Sequence, residues 1–265
     1  MHTTRISYGD HPSQWIDLSM PDDATARSTP LPAVIFIHGG YWRQQHGADQ
    51  GEPLISDLVA NGVAAVNVEY RRVGKSPVSG GGGWPATFLD IAAAIDCLAG
   101  RPELDLDRLV AVGHSAGGQL AVWAASRPGL PVGAPGADPL VRLSGYVSLG
   151  GVLDLVAGAQ QRLDGGAIQS FLGGEPDKQP EAYELGSPIN RLPIGVPGVC
   201  LHGTKDDRVP YEQTQTFVAA ATRAGDQCRS ITLTGAGHFE YLDVTSSAWA
   251  ATRSVALSPL KVPGE

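Results

Sequence analysis

The sequence predicts an α/β fold, with a mostly parallel central sheet flanked by helices on both faces. Two observations lead to this prediction. Short runs rich in β-branched residues alternate along the chain with segments that have helical hydrophobic spacing. Several of these runs, such as "AVIFIHGG", are continuously apolar, which is typical of strands buried on both faces of a parallel sheet.

The predicted elements follow one another in a regular order. An opening hairpin, "RISYG" and "QWIDLSMP", precedes the first buried strand, "AVIFIHGG". Further strands are predicted over "VAAVNVEYR", "RLVAVGHS", "LSGYVSLGGV", "GVPGVCLHG" and "CRSITLTG". Helices are predicted over "PLISDLVANG", "WPATFLDIAAAIDCLAG", "AGGQLAVWAASRP", "PYEQTQTFVAAATRAG" and "VTSSAWAATRSVAL". The sequence contains no internal repeat and no domain linker, so we expect a single domain over residues 1–265.

The segment from about Asp154 to Pro193 interrupts this order. It is rich in glycine and proline and contains short helical pieces such as "AIQSFLGG" and "PEAYELG". An excursion of this length inside a domain is more often a lid or a pocket wall than a plain loop. We therefore expect a small cap insertion over residues 154–193.

Composition and charge exclude several classes of function. Hydrophobic residues make up 42% of the chain and charged residues 17%, which suits a globular protein with a substantial core. The net charge of -8 argues against nucleic acid or an anionic membrane as partner. The first residues contain no apolar run, and Cys97, Cys200 and Cys228 lack metal-site spacing, so we expect a cytoplasmic protein. The oligomeric state stays open, and a homodimer is compatible with the sequence.

The stretch "GHSAGG", Gly113 to Gly118, is the first candidate for chemistry. A bland interpretation is a glycine-rich turn between a strand and a helix. The alternative is G-x-S-x-G at a strand-to-helix turn, which lifts the hydroxyl of Ser115 clear of the sheet. The small residues Gly113 and Gly117 permit that strained turn. The pattern is only a moderate signal by itself, so its partners decide the interpretation.

A serine hydroxyl needs an adjacent base to become a nucleophile, and His238 is the candidate. His238 lies in "GAGHFEYLD", directly after the last predicted strand. The carboxyl ends of parallel strands meet at one edge of the sheet, so His238 can reach Ser115. The other six histidines are expected at the surface (His2, His11, His46), in structural roles in tight loops (His38, His202) or beside the nucleophile (His114).

A carboxylate is then required to orient the imidazole. "LHGTKDDRVP" follows another strand and offers Asp206 and Asp207, and Asp154 after "SLGGVL" is a third candidate. An early strand is followed by "HGGYWR". Gly39 and Gly40 would leave backbone N–H groups there free to bind a developing oxyanion.

Together, "HGGYWR", "GHSAGG", "HGTKDDRVP" and "GAGHFE" resemble the signatures of α/β-hydrolases near the hormone-sensitive-lipase-like esterases and the kynurenine formamidases. The resemblance extends from "AVIFIHGG" to the last helix and implies the α/β-hydrolase fold. It implies Asp206 as the triad acid. It also implies an oxyanion hole formed by the N–H groups of Gly40, Tyr41 and Ala116. Gly39, Trp42 and His114 flank these groups and are expected to bind substrate. The alternative for Tyr41 and Trp42 is packing into the core, which is at least as favoured for Trp42, and for His114 it is a side chain that points away from the nucleophile beside it.

The resemblance also narrows the activity. The esterase pattern has a third glycine where this chain has Tyr41, whereas "HGGYW" is closer to the formamidase type. "EYRRVG" and the glycine run before "WP" resemble a branch grouped with esterases and peptidases. We therefore expect a serine hydrolase that cleaves small-acyl esters or arylformamides and requires no metal or organic cofactor. An exopeptidase or amidase, and a catalytically silent binding protein on the same scaffold, are the alternatives.

Overall fold

In the computed structural model, which describes residues 1–22, 24 and 29–260, eight strands form one sheet. The strands are β1 (His2–Ser7), β2 (Trp15–Met20), β3 (Leu31–Ile37), β4 (Ala64–Val68), β5 (Leu104–His114), β6 (Gly145–Leu149), β7 (Gly198–Gly203) and β8 (Cys228–Leu233). Their order across the sheet is β1-β2-β4-β3-β5-β6-β7-β8. Strands β1, β2 and β4 pair antiparallel, and all later pairs are parallel. The predicted mostly parallel sheet is therefore confirmed.

Helices cover both faces of this sheet. They are α1 (Glu52–Ala60), α2 (Ala86–Asp96), α3 (Ala116–Ser126), α4 (Leu155–Gln160), α5 (Ala167–Leu172), α6 (Pro180–Gly186), α7 (Glu212–Arg223) and α8 (Ser247–Leu257). Alternate residues of the fully buried β3 belong to different hydrophobic clusters. Val34 and Phe36 pack with α1 and α8, whereas Ile35 and Ile37 pack with α2, α3 and α7. The period of two along the strand thus builds one core on each face. No helix of the described residues is both long and apolar enough to cross a membrane.

One predicted strand is shorter than expected. The pattern "VAAVNVEYR" predicts pairing up to Arg71, but β4 ends at Val68. The Glu69 carboxylate turns into the protein, where it accepts the N–H of Tyr70 at 2.9 Å and that of Ala48 at 3.1 Å. The Glu69 N–H still donates to the Trp15 carbonyl of β2 at 3.1 Å, and the regular pairing ends there.

The excursion between β6 and β7 folds onto the same core as α2 and α3. Its helices α5 and α6 coincide with the predicted pieces "AIQSFLGG" and "PEAYELG". Ile168, Phe171 and Tyr183 are buried in that cluster. The excursion is therefore packed rather than extended, and it reaches the carboxyl edge of the sheet, where the loops after β3, β5, β7 and β8 also lie.

Candidate active site

Ser115 lies on a sharp turn between β5 and α3. Its backbone has φ 56° and ψ −119°. Such a conformation costs on the order of 1–3 kcal/mol and persists only where the surrounding structure enforces it. The Ser115 N–H donates a 2.8 Å hydrogen bond to the Leu149 carbonyl at the end of β6. This bond helps to hold the turn at the carboxyl edge of the sheet.

The glycines on either side of Ser115 have no room for a side chain. A Cβ on Gly113 would overlap the Gly117 carbonyl, and a Cβ on Gly117 would overlap the Ile37 carbonyl of β3. Helix α3 packs directly on β5 and also contacts β3. The G-x-S-x-G spacing therefore follows from the close approach of this helix to the two strands.

The structure brings His238 and Asp206 together beside this turn. The Nδ1 atom of His238 lies 2.7 Å from Oδ2 of Asp206, and His238 lines the same cavity as Ser115. An ionised carboxylate only accepts hydrogen bonds, so Nδ1 carries the proton and Nε2 is the basic nitrogen of the neutral ring. A base oriented by a carboxylate, in the same cavity as a serine hydroxyl, is the arrangement from which a nucleophile can be activated.

Both oxygens of the Asp206 carboxylate have partners. Oδ1 accepts the N–H of Arg208 at 2.9 Å and that of Val209 at 2.8 Å. Oδ2 accepts from His238 and lies 3.2 Å from Nε2 of His202. Burial alone would raise the pKa of Asp206, but hydrogen bonds from His202 and His238 outweigh it and hold this pKa well below its ordinary value. Asp206 is therefore ionised at neutral pH.

The other two candidate acids have different contacts. The side chain of Asp207 is 73% exposed and faces the Arg208 guanidinium at 3.5 Å. The Asp154 carboxylate caps helix α4, where it accepts the N–H of Ala157 at 2.9 Å. These are a surface ion pair and a helix cap, whereas Asp206 contacts His238 directly.

The loop after β3 contains three consecutive residues with positive φ. Gly40, Tyr41 and Trp42 have φ angles of 104°, 48° and 56°, and the first two line the cavity. No backbone hydrogen bond between described residues uses the N–H of Gly40 or Tyr41. Ala116 is the first residue of α3, so its N–H has no partner within the helix. The N–H groups of these three residues thus remain available near Ser115.

A cavity of about 280 Å³ has Ser115 and His238 in its wall. Polar and aromatic side chains dominate the lining, which contains no aliphatic side chain. Two contacts join its walls: the Tyr41 hydroxyl donates to the Arg208 carbonyl at 2.5 Å, and the Arg43 guanidinium donates to the Asp164 carboxylate at 2.7 Å. Asp164 belongs to the excursion, which therefore supplies part of one wall. The lining residues are Gly40, Tyr41, Arg43, His46, Gln50, His114, Ser115, Asp164, Arg208, His238 and Phe239.

Two residues expected to bind substrate do not line this cavity. Trp42 is fully buried, its ring stacks on Phe171 with 4.3 Å between centroids, and its Nε1 donates to Gln119 at 3.1 Å. Gly39 packs behind the cavity, where a Cβ would meet the His114 carbonyl. Trp42 and Gly39 therefore pack within the protein and lie outside the lining of this cavity, and their contact with substrate stays a prediction.

His114 reaches the cavity wall, but its polar atoms face the protein. Its Nε2 donates to the His238 carbonyl at 2.8 Å, and the two rings lie 4.7 Å apart. Its Nδ1 is buried without a hydrogen-bond partner among the described residues. Nε2 of His114 therefore supports the loop that carries His238, and the predicted substrate contact of His114 stays a prediction.

Two features of the site were not predicted from the sequence: a second partner of Asp206, and a charged cluster behind the loop that follows β3. His202, for which the sequence predicts a structural role, does bond the Val209 carbonyl, but it also lies 3.2 Å from Asp206. His38 stacks on Tyr70 and lies 3.2 Å from the Glu69 carboxylate, which also pairs with buried Arg72. The available signal was position, since both histidines end a parallel strand or directly follow one.

The free energy of unfolding is expected to fall in acid because His114 is buried as a neutral ring. Burial, and secondarily the charge of His238, lowers the pKa of His114 from 6.5 to about 3. The unfolded chain therefore takes up a proton below about pH 6.5 that the folded chain does not, so stability falls as pH falls from 6.5 toward 3. Between pH 7 and pH 5 the native chain should lose about 2 kcal/mol more unfolding free energy than His114→Gln.

Urea unfolding of both proteins at the two pH values measures this difference. Glutamine is the matched replacement, because its amide can donate to the His238 carbonyl but does not titrate. Equal losses of unfolding free energy in the two proteins would contradict a buried neutral His114.

Comparison with known proteins finds a matching family model and several similar esterases. The family model described as BD-FAE matches residues 16–220. Esterase LipC of Mycobacterium tuberculosis is 30% identical, over 92% of this chain and 61% of LipC. A probable isoprenylcysteine alpha-carbonyl methylesterase of Arabidopsis thaliana, ICMEL1, is 25% identical over 88% of this chain and 50% of its own length. The chain thus spans about half to three fifths of these two relatives.

Solved structures share the fold. A truncated carbohydrate esterase from gut microbiota superposes with a TM-score of 0.78 at 20% identity, over 97% of this chain and 95% of that chain. The butyrate-bound thermophilic esterase Est2 of Thermogutta terrifontis gives a TM-score of 0.76 at 22% identity, over 99% of this chain and 96% of that chain. At these identities the likeness establishes the fold alone.

Proposed function

The chain belongs to the BD-FAE family of α/β-hydrolases, and we propose that it is a serine hydrolase that cleaves carboxylic esters. The observation that carries the proposal is the 2.7 Å contact between His238 and buried Asp206, in a cavity shared with Ser115 on its strained turn. The esterases among its relatives support the same class of reaction.

The proposed reaction proceeds in two halves. Nε2 of His238 takes the proton of the Ser115 hydroxyl while Oγ attacks the ester carbonyl carbon, whose oxygen becomes an oxyanion. The N–H groups of Gly40, Tyr41 and Ala116 donate hydrogen bonds to this oxyanion. The partial positive charge at the N-terminus of α3 stabilises it further. The bond to the leaving alcohol then breaks, and His238 donates its proton to that oxygen. In the second half water loses a proton to His238 and attacks the acyl carbon. The bond between that carbon and Oγ of Ser115 then breaks, His238 donates the proton to Oγ, and the acid leaves.

We further propose that the acyl group is small and that arylformamides are substrates as well as esters. Tyr41 stands where the esterase pattern has a third glycine, and it lines the cavity with its hydroxyl fixed on the Arg208 carbonyl at 2.5 Å. The cavity of about 280 Å³ has no aliphatic wall to receive a long acyl chain. The excursion over residues 154–193 acts as a cap that supplies Asp164 to this wall within a single domain.

An acyl-length series tests this proposal. The kcat/KM for acetyl, butyryl and octanoyl esters of one phenol should fall steadily, since a misfit methylene costs roughly 1–3 kcal/mol. A formanilide should be cleaved. Tyr41→Gly, which suits the positive φ and keeps the backbone N–H, should raise the octanoyl-to-acetyl ratio of kcat/KM at least about tenfold.

Acyl size, arylformamide cleavage and ester hydrolysis are each contradicted by a different result. A flat or rising series with the native enzyme would contradict the small acyl site. Failure to cleave any arylformamide would contradict that activity and leave ester hydrolysis in place. The absence of turnover, and of an initial burst, with activated esters would favour a silent binding protein on this scaffold.

A further inference from the structure

Phe239 is an exposed aromatic side chain directly beside the proposed base. It is 57% exposed, although it lines the cavity and its ring lies 5.2 Å from that of His238. Most large apolar side chains of the described residues are buried in the two cores. An exposed ring at the mouth of a cavity offers a planar apolar surface on which another ring can stack.

Arg208 provides a cation at the same place. Its guanidinium lies 5.9 Å from the centre of the Phe239 ring, and its side chain is 53% exposed. The backbone of Arg208 is fixed, because its N–H donates to Asp206 and its carbonyl accepts the Tyr41 hydroxyl. The fixed backbone therefore keeps Arg208 near the active site, while its exposed guanidinium can contact a ligand.

Of the two arginines that line the cavity, Arg208 has the weaker ion pair. Arg43, the other arginine of the lining, is committed to Asp164 by contacts of 2.7 Å to both the carboxylate and the carbonyl. Among the described residues, the acidic partner of the Arg208 side chain is the exposed Asp207 carboxylate, at 3.5 Å. An exposed pair at this distance contributes little. A carboxylate on a bound ligand can take the place of Asp207 and form shorter, charge-assisted hydrogen bonds with the Arg208 guanidinium.

The proposed reaction places the leaving group of the substrate beside Phe239 and Arg208. His238 must hand a proton to the leaving oxygen, so the leaving group lies next to the His238 ring. Phe239 follows His238 in the chain and stacks edge-on against it. A phenolic leaving group would meet the Phe239 ring, and its far end would point toward the rim where Arg208 lies.

We propose that Phe239 and Arg208 form a leaving-group subsite that selects esters of aromatic alcohols bearing a carboxylate. The proposal rests on the serine hydrolase function proposed above. Phe239 stacks on the aromatic ring, and the Arg208 guanidinium binds the carboxylate. Selection operates on the ground state and the transition state together, so it appears mainly in KM and in kcat/KM.

Two acetate esters with matched shapes test the subsite. One carries 4-hydroxybenzoate as leaving group, and the other carries the neutral 4-hydroxybenzamide. The native enzyme and Arg208→Gln are compared through the ratio of kcat/KM for the two esters, so that the intrinsic reactivity of each ester cancels. Arg229→Gln is the matched control, because Arg229 is an exposed arginine of β8 that does not line the cavity.

We expect Arg208→Gln to lower the ratio of anionic to neutral ester about threefold to tenfold, chiefly through KM, with Arg229→Gln unchanged. Arg208→Glu should lower the ratio further, and 0.5 M salt should reduce the native preference. Phe239→Leu should raise KM for both aryl esters, because it removes the ring on which they stack, and an unchanged KM for both would contradict the stacking role. The same ratio in the native enzyme, Arg208→Gln and Arg208→Glu would overturn the subsite alone. No turnover of either ester would overturn the proposed hydrolase and the subsite with it.

Discussion

Replacement of Ser115 by alanine is expected to leave a folded protein whose turnover of an aryl acetate falls on the order of 10⁴-fold or more. The change removes the one oxygen placed to attack the carbonyl and keeps the Cβ that the turn accommodates at φ 56°. The hydrogen bond from the backbone N–H to Leu149 is unaffected. Ester hydrolysis and thermal unfolding, measured on the same preparation, check both halves of this expectation.

Covalent labelling with a fluorophosphonate probe tests whether Ser115 is the nucleophile without the use of a substrate. It should phosphonylate Ser115 in the native protein and give no label on Ser115→Ala, as read by peptide mass spectrometry. Ser148→Ala is a suitable control, because the Ser148 hydroxyl is buried in β6 and has no hydrogen-bond partner among the described residues. That variant should label as the native protein does. A label on another serine of the folded protein would contradict the mechanism.

The sequence contained enough to predict the sheet and the relative position of Ser115 and His238. Buried parallel strands appear as unbroken apolar runs, such as "AVIFIHGG". Once such runs alternate with helices, the residues that follow them must meet at one edge of the sheet. The motif resemblance then favoured Asp206 over Asp207, and the exposed Asp207 side chain is consistent with that choice.

The direction of Trp42 could not be obtained in this way. Tyr41 and Trp42 both have positive φ, a conformation that neither residue type signals. The Trp42 ring also finds its partner in Phe171, which lies far along the chain in the excursion. The contact between Arg43 and Asp164 has the same origin. Hydrophobic periodicity specifies which helices form in such a segment but not the path by which it returns to the site.

Asp206→Asn is expected to lower kcat by about 10⁴-fold, whereas Asp207→Asn should change it less than about threefold. The two substitutions are chemically identical and lie on neighbouring residues. The Asp206 side chain is 1% exposed and lies 2.7 Å from Nδ1 of His238, whereas the exposed Asp207 side chain faces that of Arg208. Steady-state hydrolysis of an aryl acetate by the two variants gives the comparison directly. Equal losses, or the larger loss in Asp207→Asn, would overturn the choice of acid.

The size of the Asp206→Asn effect follows from how the loop would orient the new amide. Oδ1 of residue 206 must still accept the N–H groups of Arg208 and Val209, so the asparagine oxygen stays there. The amide nitrogen is thereby turned toward His238, where it can only donate. Nδ1 of His238 then becomes the acceptor, and the ring proton moves to Nε2, which can no longer take the proton of Ser115. Asp154→Asn gives the matched control: it alters the cap of α4, costs at most about 1 kcal/mol of unfolding free energy, and should leave kcat within about twofold of the native value.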